Sequence, residues 1–279
     1  MMKDGYYLLL ILIFIIVGCK TQHQLPKETY YEFNREIRIK FNNDTLSLYA
    51  KNPLLSPFRI TFSSKDSSIN NKLLNIGTTL LYPFKDTSFQ FYAPGKSKAF
   101  ISYQIGLGDA EQRITPATFH FPFPKNKVYK IIQGYNGLYS HSEPYHKYAL
   151  DFNMKIGDTV CAADDGYVVG AIKDYRYSGT GKEWQQNDKS NYITLYHPRS
   201  GMFTQYVHLM YQGSFISVGD SVMKGQHIGL SGMTGYTDIP HLHFNVLVPE
   251  KGKKLISYPA QFENGIDGND LKKGMEVRH

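Results

Sequence analysis

The sequence of 279 residues contains only two cysteines, Cys19 and Cys161, and a single tryptophan. Cys161 lies in the apolar stretch 159–163, which predicts a small core residue and not a reactive thiol. Lysine and arginine nowhere form a run with interleaved aromatic residues, so nucleic acid is not expected as a partner. The sequence also has no internal repeat and no low-complexity segment. These absences leave ordinary globular domains as the expected organisation.

Hydrophobic residues make up 42% of the chain and aromatic residues 14%, which is enough to fill one large core or two ordinary ones. The aromatic residues are mainly tyrosine (22) and phenylalanine (17), and they favour strands over helices. The formal net charge of +7 at pH 7 suits contact with an anionic polymer or a membrane surface. We therefore expect a mainly β protein with a basic surface.

The N-terminus predicts export and lipid attachment. Lys3 precedes an apolar stretch from Tyr6 to Val17, which has the length of a signal-peptide core and is too short to span a bilayer comfortably. It ends in Gly18-Cys19, which resembles a bacterial lipobox. The pattern predicts that residues 1–18 are a lipoprotein signal peptide and that residues 19–28 are a tether. Cys19 would carry the lipid and hold the protein in the cell envelope, on the extracytoplasmic side of a membrane. The alternative is a buried helix or an uncleaved anchor with an incidental cysteine.

Two β domains are predicted after the tether. Residues 29–114 contain alternating segments such as 36–41 and 87–92, separated by turn-forming clusters, which is typical of a small β-sandwich-like domain. The proline-rich segment 115–124 opens a second domain over residues 115–263. Its clearest strands are expected at 166–170, 192–196 and 203–207. Residues 264–279 are polar and are expected to form a loose tail.

Histidine is the residue type that points to a function. Seven of the ten histidines lie between positions 141 and 243. On a strand over residues 240–246, His241 and His243 share one face while the apolar residues share the other. Asp151 is embedded in apolar neighbours, where an unpaired carboxylate is costly and a metal ion, a cation or backbone amides would satisfy it.

Other histidines are placed to complete a metal site with these residues. His141 and His146 lie on a segment that leads into the strand of Asp151, and His208 ends another strand. Two histidines and one carboxylate around Zn²⁺, with water in the fourth position, form a catalytic geometry. Such an ion lowers the pKa of water and polarises a carbonyl group. Further histidines nearby suit a general base and an oxyanion stabiliser.

At this point the sequence resembles the lysostaphin/LytM-type zinc endopeptidases over about residues 128–248. The resemblance depends on several segments that stand in the order of the family. They are 149–152 with a histidine ahead of it, 157–168, 191–197, 206–209, 218–226, 231–235 and 240–244. The resemblance implies that residues 115–263 form an antiparallel β domain of the LytM type (a duplicated hybrid motif) and that the cofactor is Zn²⁺.

The family pattern also implies roles for four residues. Asp151 and His243 correspond to zinc ligands. His208 and His241 correspond to the histidines that assist water and the transition state without binding the metal.

The first zinc ligand is where this chain departs from the family. The commonest spacing places a histidine four residues before the aspartate, and this chain has Lys147 there. His141, which follows Tyr139-Ser140, matches the relatives with a longer loop, because loops tolerate changes in length. We therefore predict His141 as the ligand, with His146 as the alternative.

The resemblance implies hydrolysis of peptide bonds in the stem or cross-bridge peptides of peptidoglycan. The sequence does not choose between these bonds, nor does it indicate an oligomeric state. The alternative is a non-catalytic lipoprotein of the same fold that binds the wall or regulates other hydrolases. Such members typically lack zinc-binding residues, whereas this chain retains the full set.

Overall fold

The computed structural model of the protein describes residues 23–94, 101–187, 189–252 and 254–279. The predicted signal peptide and Cys19 lie outside these ranges, so the structure does not bear on them. Among the helices of the described residues, none has the length and apolar character needed to cross a membrane.

The first part of the described chain folds into two three-stranded antiparallel sheets, with strand orders β1-β2-β5 and β4-β3-β6. Its elements are β1 (Glu36–Asn42), β2 (Thr45–Lys51), β3 (Phe58–Ser64), α1 (Ser67–Ile76), β4 (Thr78–Leu81), β5 (Asp86–Tyr92) and β6 (Ile101–Leu107). Every second residue of β2 is buried, and these residues share one core with Phe58 and Ile60 of β3. The predicted β-sandwich-like unit is confirmed.

Helix α1 departs from the expectation of strands and turns alone. Asp66 caps its N-terminus by accepting hydrogen bonds from the backbone N–H groups of Ser68 and Ile69. Ile69 and Leu73, four residues apart, are its buried face. The sequence around Asp66 predicted a turn, because its Ser-rich composition suits both a turn and a helix cap.

The remaining elements build one large sheet and several small ones. They are β7 (Thr118–Phe119), β8 (Val128–Gln133), β9 (Leu150–Phe152), β10 (Thr159–Cys161), β11 (Gly166–Ile172), β12 (Ser178–Gly179), α2 (Lys182–Gln186), β13 (Tyr192–His197), β14 (Met202–Val207), β15 (Leu209–Ser214), β16 (Ser221–Val222), β17 (His227–Ser231), β18 (Gly235–Tyr236), β19 (Leu242–Pro249), β20 (Leu255–Tyr258), β21 (Gln261–Phe262), β22 (Ile266–Asp267) and β23 (Glu276–Arg278). Two short 3₁₀ helices, Glu263–Gly265 and Gly268–Asp270, complete the set.

The large sheet has nine antiparallel strands in the order β16-β11-β13-β14-β19-β9-β8-β23, with β20 paired to β19. The smaller sheets are β10-β17-β15, β22-β21-β7 and β12-β18. The strands predicted near 166–170, 192–196 and 203–207 are β11, β13 and β14. The prediction of a mainly β fold with an antiparallel C-terminal domain is confirmed.

The two faces of the large sheet have different surroundings. Leu242, Phe244 and Val246 of β19 belong to the main core, where phenylalanines from the segments before β8 and after β20 pack against them. The alternate residues of β19, His243 and Asn245, lie on the opposite face. This second face carries the histidines, so we call it the histidine face.

The N-terminal unit covers one end of the histidine face. Leu247 of β19, Phe203 of β14 and Tyr196 of β13 are cross-strand neighbours, and all three are buried in the core of the N-terminal unit. The segment before β1 also lies against the large-sheet domain. There, the Lys189 ammonium donates to the carbonyl of Glu28 at 2.6 Å, and the ring of Tyr30 packs edge-on against Tyr175.

Arg59 of β3 joins the N-terminal unit to the hairpin of β19 and β20. Its guanidinium is buried and donates to the carbonyl oxygens of Gly108 and Leu107 in its own unit, each at 3.1 Å. It also donates to the carbonyl oxygens of Glu250 and Lys254 in the hairpin, each at 2.7 Å. One side chain thus satisfies four backbone acceptors from both parts of the chain.

Replacing Arg59 with methionine is expected to lower the free energy of unfolding by about 3 kcal/mol, because each buried carbonyl left without a donor costs about 1–3 kcal/mol. Chemical denaturation measures the change. Arg38→Met is the matched control, since the Arg38 guanidinium is exposed and lies over the ring of Tyr49 at 4.2 Å. We expect the control to lose less than about 1 kcal/mol. Equal losses in both variants would show that the link between the two units adds nothing.

The prediction of a loose C-terminal tail is wrong. Strand β23 pairs with β8, and Arg278 lies opposite Val128. Leu271 and Val277 are buried in the main core. These two apolar residues are spaced too far apart to produce a recognisable strand pattern, but they are sufficient to hold an otherwise polar segment against the large sheet.

Candidate metal centre

The pairing of β9 with β19 places the central residues of the site opposite each other. Asp151 and His243 are direct cross-strand partners, and Val207 lies on the other side of His243. A carboxylate oxygen of Asp151 (Oδ1) is 2.9 Å from Nδ1 of His243. Both side chains are buried. The apolar residues on either side of Asp151 and of His243 are buried in the main core, so the polar pair is held on the histidine face.

His141 approaches this pair from the loop between β8 and β9. Its Nε2 lies 3.2 Å from Oδ1 of Asp151 and 3.3 Å from Nδ1 of His243. Its other ring nitrogen, Nδ1, lies 2.9 Å from the carbonyl oxygen of Gly134. A carbonyl only accepts, so Nδ1 carries the proton and Nε2 presents a lone pair to the two partners.

The three donor atoms fit a metal ion. They lie 2.9, 3.2 and 3.3 Å from one another. Donors bonded to tetrahedral Zn²⁺ at about 2.0–2.1 Å are separated by about 3.3 Å. Two imidazoles and a carboxylate suit Zn²⁺ and similar borderline ions better than Ca²⁺ or Mg²⁺, which prefer oxygen. His141, Asp151 and His243 are therefore the residues that could hold the metal.

The Asp151 carboxylate is held ionised by its surroundings. Burial opposes its ionisation, but the neighbouring rings of His241, His141 and His243, which add positive charge beside it when protonated, keep the pKa of Asp151 well below its usual value. Its second oxygen accepts a hydrogen bond from Nε2 of Gln133 at 3.2 Å. A charged carboxylate binds a cation, and Oδ1 of Asp151 is the oxygen that faces the ring nitrogens of His141 and His243.

His146, the alternative first ligand, lies behind His243. Its Nδ1 is 3.2 Å from Nε2 of His243, the ring nitrogen that faces away from Asp151. Burial, with the neighbouring His243 and His141, lowers the pKa of His146 to about 3, so His146 is neutral and accepts the His243 proton. That contact leaves Nδ1 of His243 free for a metal. The structure brings His141 into the donor set and places His146 where it orients His243.

Replacing His146 with alanine is therefore expected to weaken zinc binding about 10- to 100-fold, the usual effect of removing a partner that orients a ligand. Competition with a chelator of known affinity measures the change. His227→Ala is the control, because His227 is exposed and lies away from the site at the start of β17. An undiminished affinity in the His146 variant would contradict the orienting role.

His208 and His241 line the same site without joining the donor set. Their ring centroids are 4.5 Å apart, and Nε2 of His241 is 3.9 Å from Oδ1 of Asp151. Nδ1 of His208 donates to the carbonyl of Thr234 at 2.8 Å, and Nδ1 of His241 donates to that of Ile239 at 3.0 Å. When either ring is neutral, Nε2 is its nitrogen with a lone pair.

His208 is held in a conformation that few residues adopt. Its φ is +65°, in the left-handed region, which costs a histidine of order 1 kcal/mol and is compensated by its neighbours. Burial, together with His241 and His243, lowers the pKa of His208 well below its ordinary value. The unfavourable backbone conformation at the junction of β14 and β15 thus lowers stability and places a neutral imidazole at the site.

Gln133, Thr234 and Thr237 take part in the site although the sequence analysis did not single them out. Gln133 contacts Asp151, Thr234 fixes His208 through its carbonyl, and the Thr237 hydroxyl lies 3.3 Å from Nδ1 of His241. Thr234 stands in one of the segments that resemble the family, but its role comes from its backbone. A sequence gives no signal for such a contact.

The fold and this site together define a metallopeptidase-like domain. Residues 145–255 match Peptidase family M23, so the chain contains an M23 peptidase domain and the predicted resemblance to lysostaphin is confirmed. His141 lies just outside the matched residues, on the loop that precedes them.

Three curated relatives illustrate the similarity. The chain is 37% identical over 98 residues to the peptidoglycan DD-endopeptidase ShyA of Vibrio cholerae, covering 35% of this chain and 19% of ShyA. It is 35% identical over 116 residues to lysostaphin of Staphylococcus simulans, covering 41% of this chain and 21% of lysostaphin. It is 39% identical over 116 residues to the glycyl-glycine endopeptidase ALE-1 of Staphylococcus capitis, covering 41% of this chain and 28% of ALE-1. The chain thus spans less than a third of the length of these relatives.

Proposed function

We propose that the protein is a zinc-dependent endopeptidase that hydrolyses peptide bonds in peptidoglycan. The observation that carries the proposal is the donor set of His141, Asp151 and His243, whose three atoms lie at zinc-like spacing. The names of the relatives ShyA and ALE-1 support a wall-peptide substrate. The alternative of a non-catalytic regulator is disfavoured, since a regulator does not need this donor set together with His208 and His241.

Zinc bound to these residues would supply an activated water molecule and a positive charge at the scissile carbonyl. His241, with its proton fixed on Nδ1 by Ile239, offers Nε2 as the general base for the water. His208 would stabilise the carbonyl oxygen as negative charge develops. It donates from Nε2 only when protonated, because Thr234 already receives its Nδ1 proton. The developing charge favours that protonation although burial opposes it in the resting site.

The substrate would lie along the histidine face. Gln205 and Asn245 are cross-strand partners that lie two residues along their strands from Val207 and His243. Past them, a cavity of about 190 Å³ separates the large sheet from the N-terminal unit. Its lining includes Glu32, Arg35 and Lys254, charges of both signs. The N-terminal unit covers this end of the histidine face, so we propose that a wall peptide enters from the other end and places its polar terminus in the cavity.

Digestion of purified peptidoglycan tests the proposed function. Mass spectrometry of the released fragments is expected to show new peptide termini. Fragments that end between stem peptides identify DD-endopeptidase activity, and fragments that end between glycines identify cross-bridge cleavage. Removal of the metal with a chelator should stop the release, and added Zn²⁺ should restore it. Peptidoglycan bound but left uncut by the zinc-loaded protein would establish the regulatory alternative.

We also propose that the protein is a lipoprotein of the cell envelope, anchored through Cys19. The support is the apolar stretch that ends in Gly18-Cys19. Replacing Cys19 with serine is expected to release the protein from the membrane fraction or to leave an unprocessed precursor. Metabolic labelling with a fatty-acid analogue, followed by fractionation, measures both. Cys161→Ser serves as the control, because that buried cysteine is not available to a lipid. Normal labelling of the Cys19 variant would refute the anchor.

A further inference from the structure

A second group of metal-binding side chains lies outside the proposed active site. His120, Glu263 and His279 each offer one ligand atom, and these atoms all lie within 4.8 Å of one another. The sequence analysis assigned no role to the two histidines, and the proposed peptidase activity uses none of the three.

Backbone pairing brings the first two residues together. Strands β7 and β21 run parallel, and Phe119 lies opposite Phe262. His120 directly follows β7 and Glu263 directly follows β21, so the two side chains emerge side by side. Nε2 of His120 lies 2.6 Å from Oε2 of Glu263. The main-chain N–H of His120 is also fixed, because it donates to the carbonyl of Ala163 at 2.8 Å.

His279 reaches the same place from β23. Its backbone carbonyl accepts from the N–H of Asn126 at 3.0 Å, which holds the residue beside the segment before β8. Its ring lies edge-on to that of His120, with 4.8 Å between the centroids, and it also packs against Phe121 and Phe123. All three residues therefore directly follow strands whose pairing fixes their positions.

The hydrogen bonds leave ring nitrogens without partners. Nδ1 of His279 donates to the carbonyl of Phe123 at 2.7 Å, which leaves a lone pair on Nε2. That Nε2 is buried and has no hydrogen-bond partner, and neither has Nδ1 of His120. A carbonyl that fixes the far nitrogen of a histidine is the arrangement found behind metal ligands.

From this geometry we infer that His120, Glu263 and His279 form a second binding site for a divalent transition-metal ion such as Zn²⁺. Two imidazoles and one carboxylate are the donors that Zn²⁺ prefers, and tetrahedral binding needs them about 3.3 Å apart. The donor atoms are at most 4.8 Å apart, so shifts of less than 2 Å bring them to that spacing. Lys224 remains paired with the other oxygen of Glu263 at 3.2 Å, which leaves Oε2 for the ion.

The second site would hold the chain together and would not take part in peptide hydrolysis. It joins three segments that are distant in sequence: the entry to the large-sheet domain, the segment after β21, and β23. A bound ion would add a link between β23 and the core at a place where the sheet otherwise ends. This inference stands whether or not the proposed peptidase activity is correct.

Metal stoichiometry of the purified, untagged protein tests the inference. We expect two Zn²⁺ per chain, one of which disappears in His243→Ala and the other in His279→Ala. The double variant should bind none, and His227→Ala should still bind two. In the His243→Ala protein, added Zn²⁺ is expected to raise the melting temperature, whereas Ca²⁺ should not. This rise should vanish when His279→Ala is added.

Glu263→Gln is the second test variant. It is expected to fold normally, because glutamine keeps the size and polarity of the side chain. It is expected to weaken binding at the second site at least 100-fold while circular dichroism stays unchanged. Two zinc ions retained in both the His279 and Glu263 variants would overturn the inference. One zinc in the wild type and none in His243→Ala would overturn it as well. If only the second zinc is found, the proposed function fails and the second site stands.

Discussion

Replacing His243 with alanine is expected to remove one zinc ion per chain and to reduce the cleavage of wall peptides to the rate seen without enzyme. His243 provides one of three donors that lie 2.9–3.3 Å apart, and its loss leaves His141 and Asp151 as a two-residue site. Two ligands rarely hold Zn²⁺ at the concentrations available to a protein, so metal and activity should disappear together.

The measurement pairs elemental analysis with digestion of purified peptidoglycan by the same preparation. His227→Ala controls for the loss of any imidazole, since His227 is exposed and belongs to neither group of donors. A zinc ion that persists in His243→Ala is expected only at His120, Glu263 and His279. Cleavage at the wild-type rate by the His243 variant would remove the basis for the metal centre.

Replacing His208 with alanine is expected to lower kcat about 100- to 1,000-fold, in the range found when a transition-state hydrogen-bond donor is removed. Zinc content should stay at the wild-type level, because His208 is outside the donor set. The substitution does not relieve the unfavourable backbone angle of +65°, because alanine is subject to the same restriction.

His208→Gln separates a chemical role from a structural one. Glutamine retains a hydrogen-bond donor but cannot gain a proton, so it should recover part of kcat if His208 only donates and none if protonation is required. Steady-state kinetics on a soluble wall peptide, with the zinc content of each variant, give the answer. Loss of zinc in both variants would instead assign His208 to holding the metal centre together.

Most of the fold was predictable because local patterns and tertiary packing agree. The alternation in β2 and the apolar strands β11, β13 and β14 appear in the sequence as they do in the structure. Helix α1 was not predicted, because its buried face consists of only Ile69 and Leu73. Strand β23 was not predicted, because its pairing with β8 is a contact between segments more than 100 residues apart in sequence.

The candidate metal centre was predictable to a different degree for each residue. Asp151 and His243 stand in short segments whose neighbours fix their strand positions. His141 lies on a loop, so its prediction as a ligand depended on the resemblance, and the carbonyl of Gly134 holds its ring in place. The place of His146 against the far nitrogen of His243 follows from the loop conformation, which no spacing rule describes.

The contact of Lys189 with the tether has a consequence for where the protein can work. The carbonyl of Glu28 is held against the large-sheet domain, so only the residues from Cys19 to Glu28 separate that domain from a lipid on Cys19. At about 3.5 Å per residue, those nine steps reach at most about 30 Å. With Cys19 as the proposed anchor, the domain would stay close to the bilayer, and the proposed wall substrate would be limited to the innermost layer of the wall.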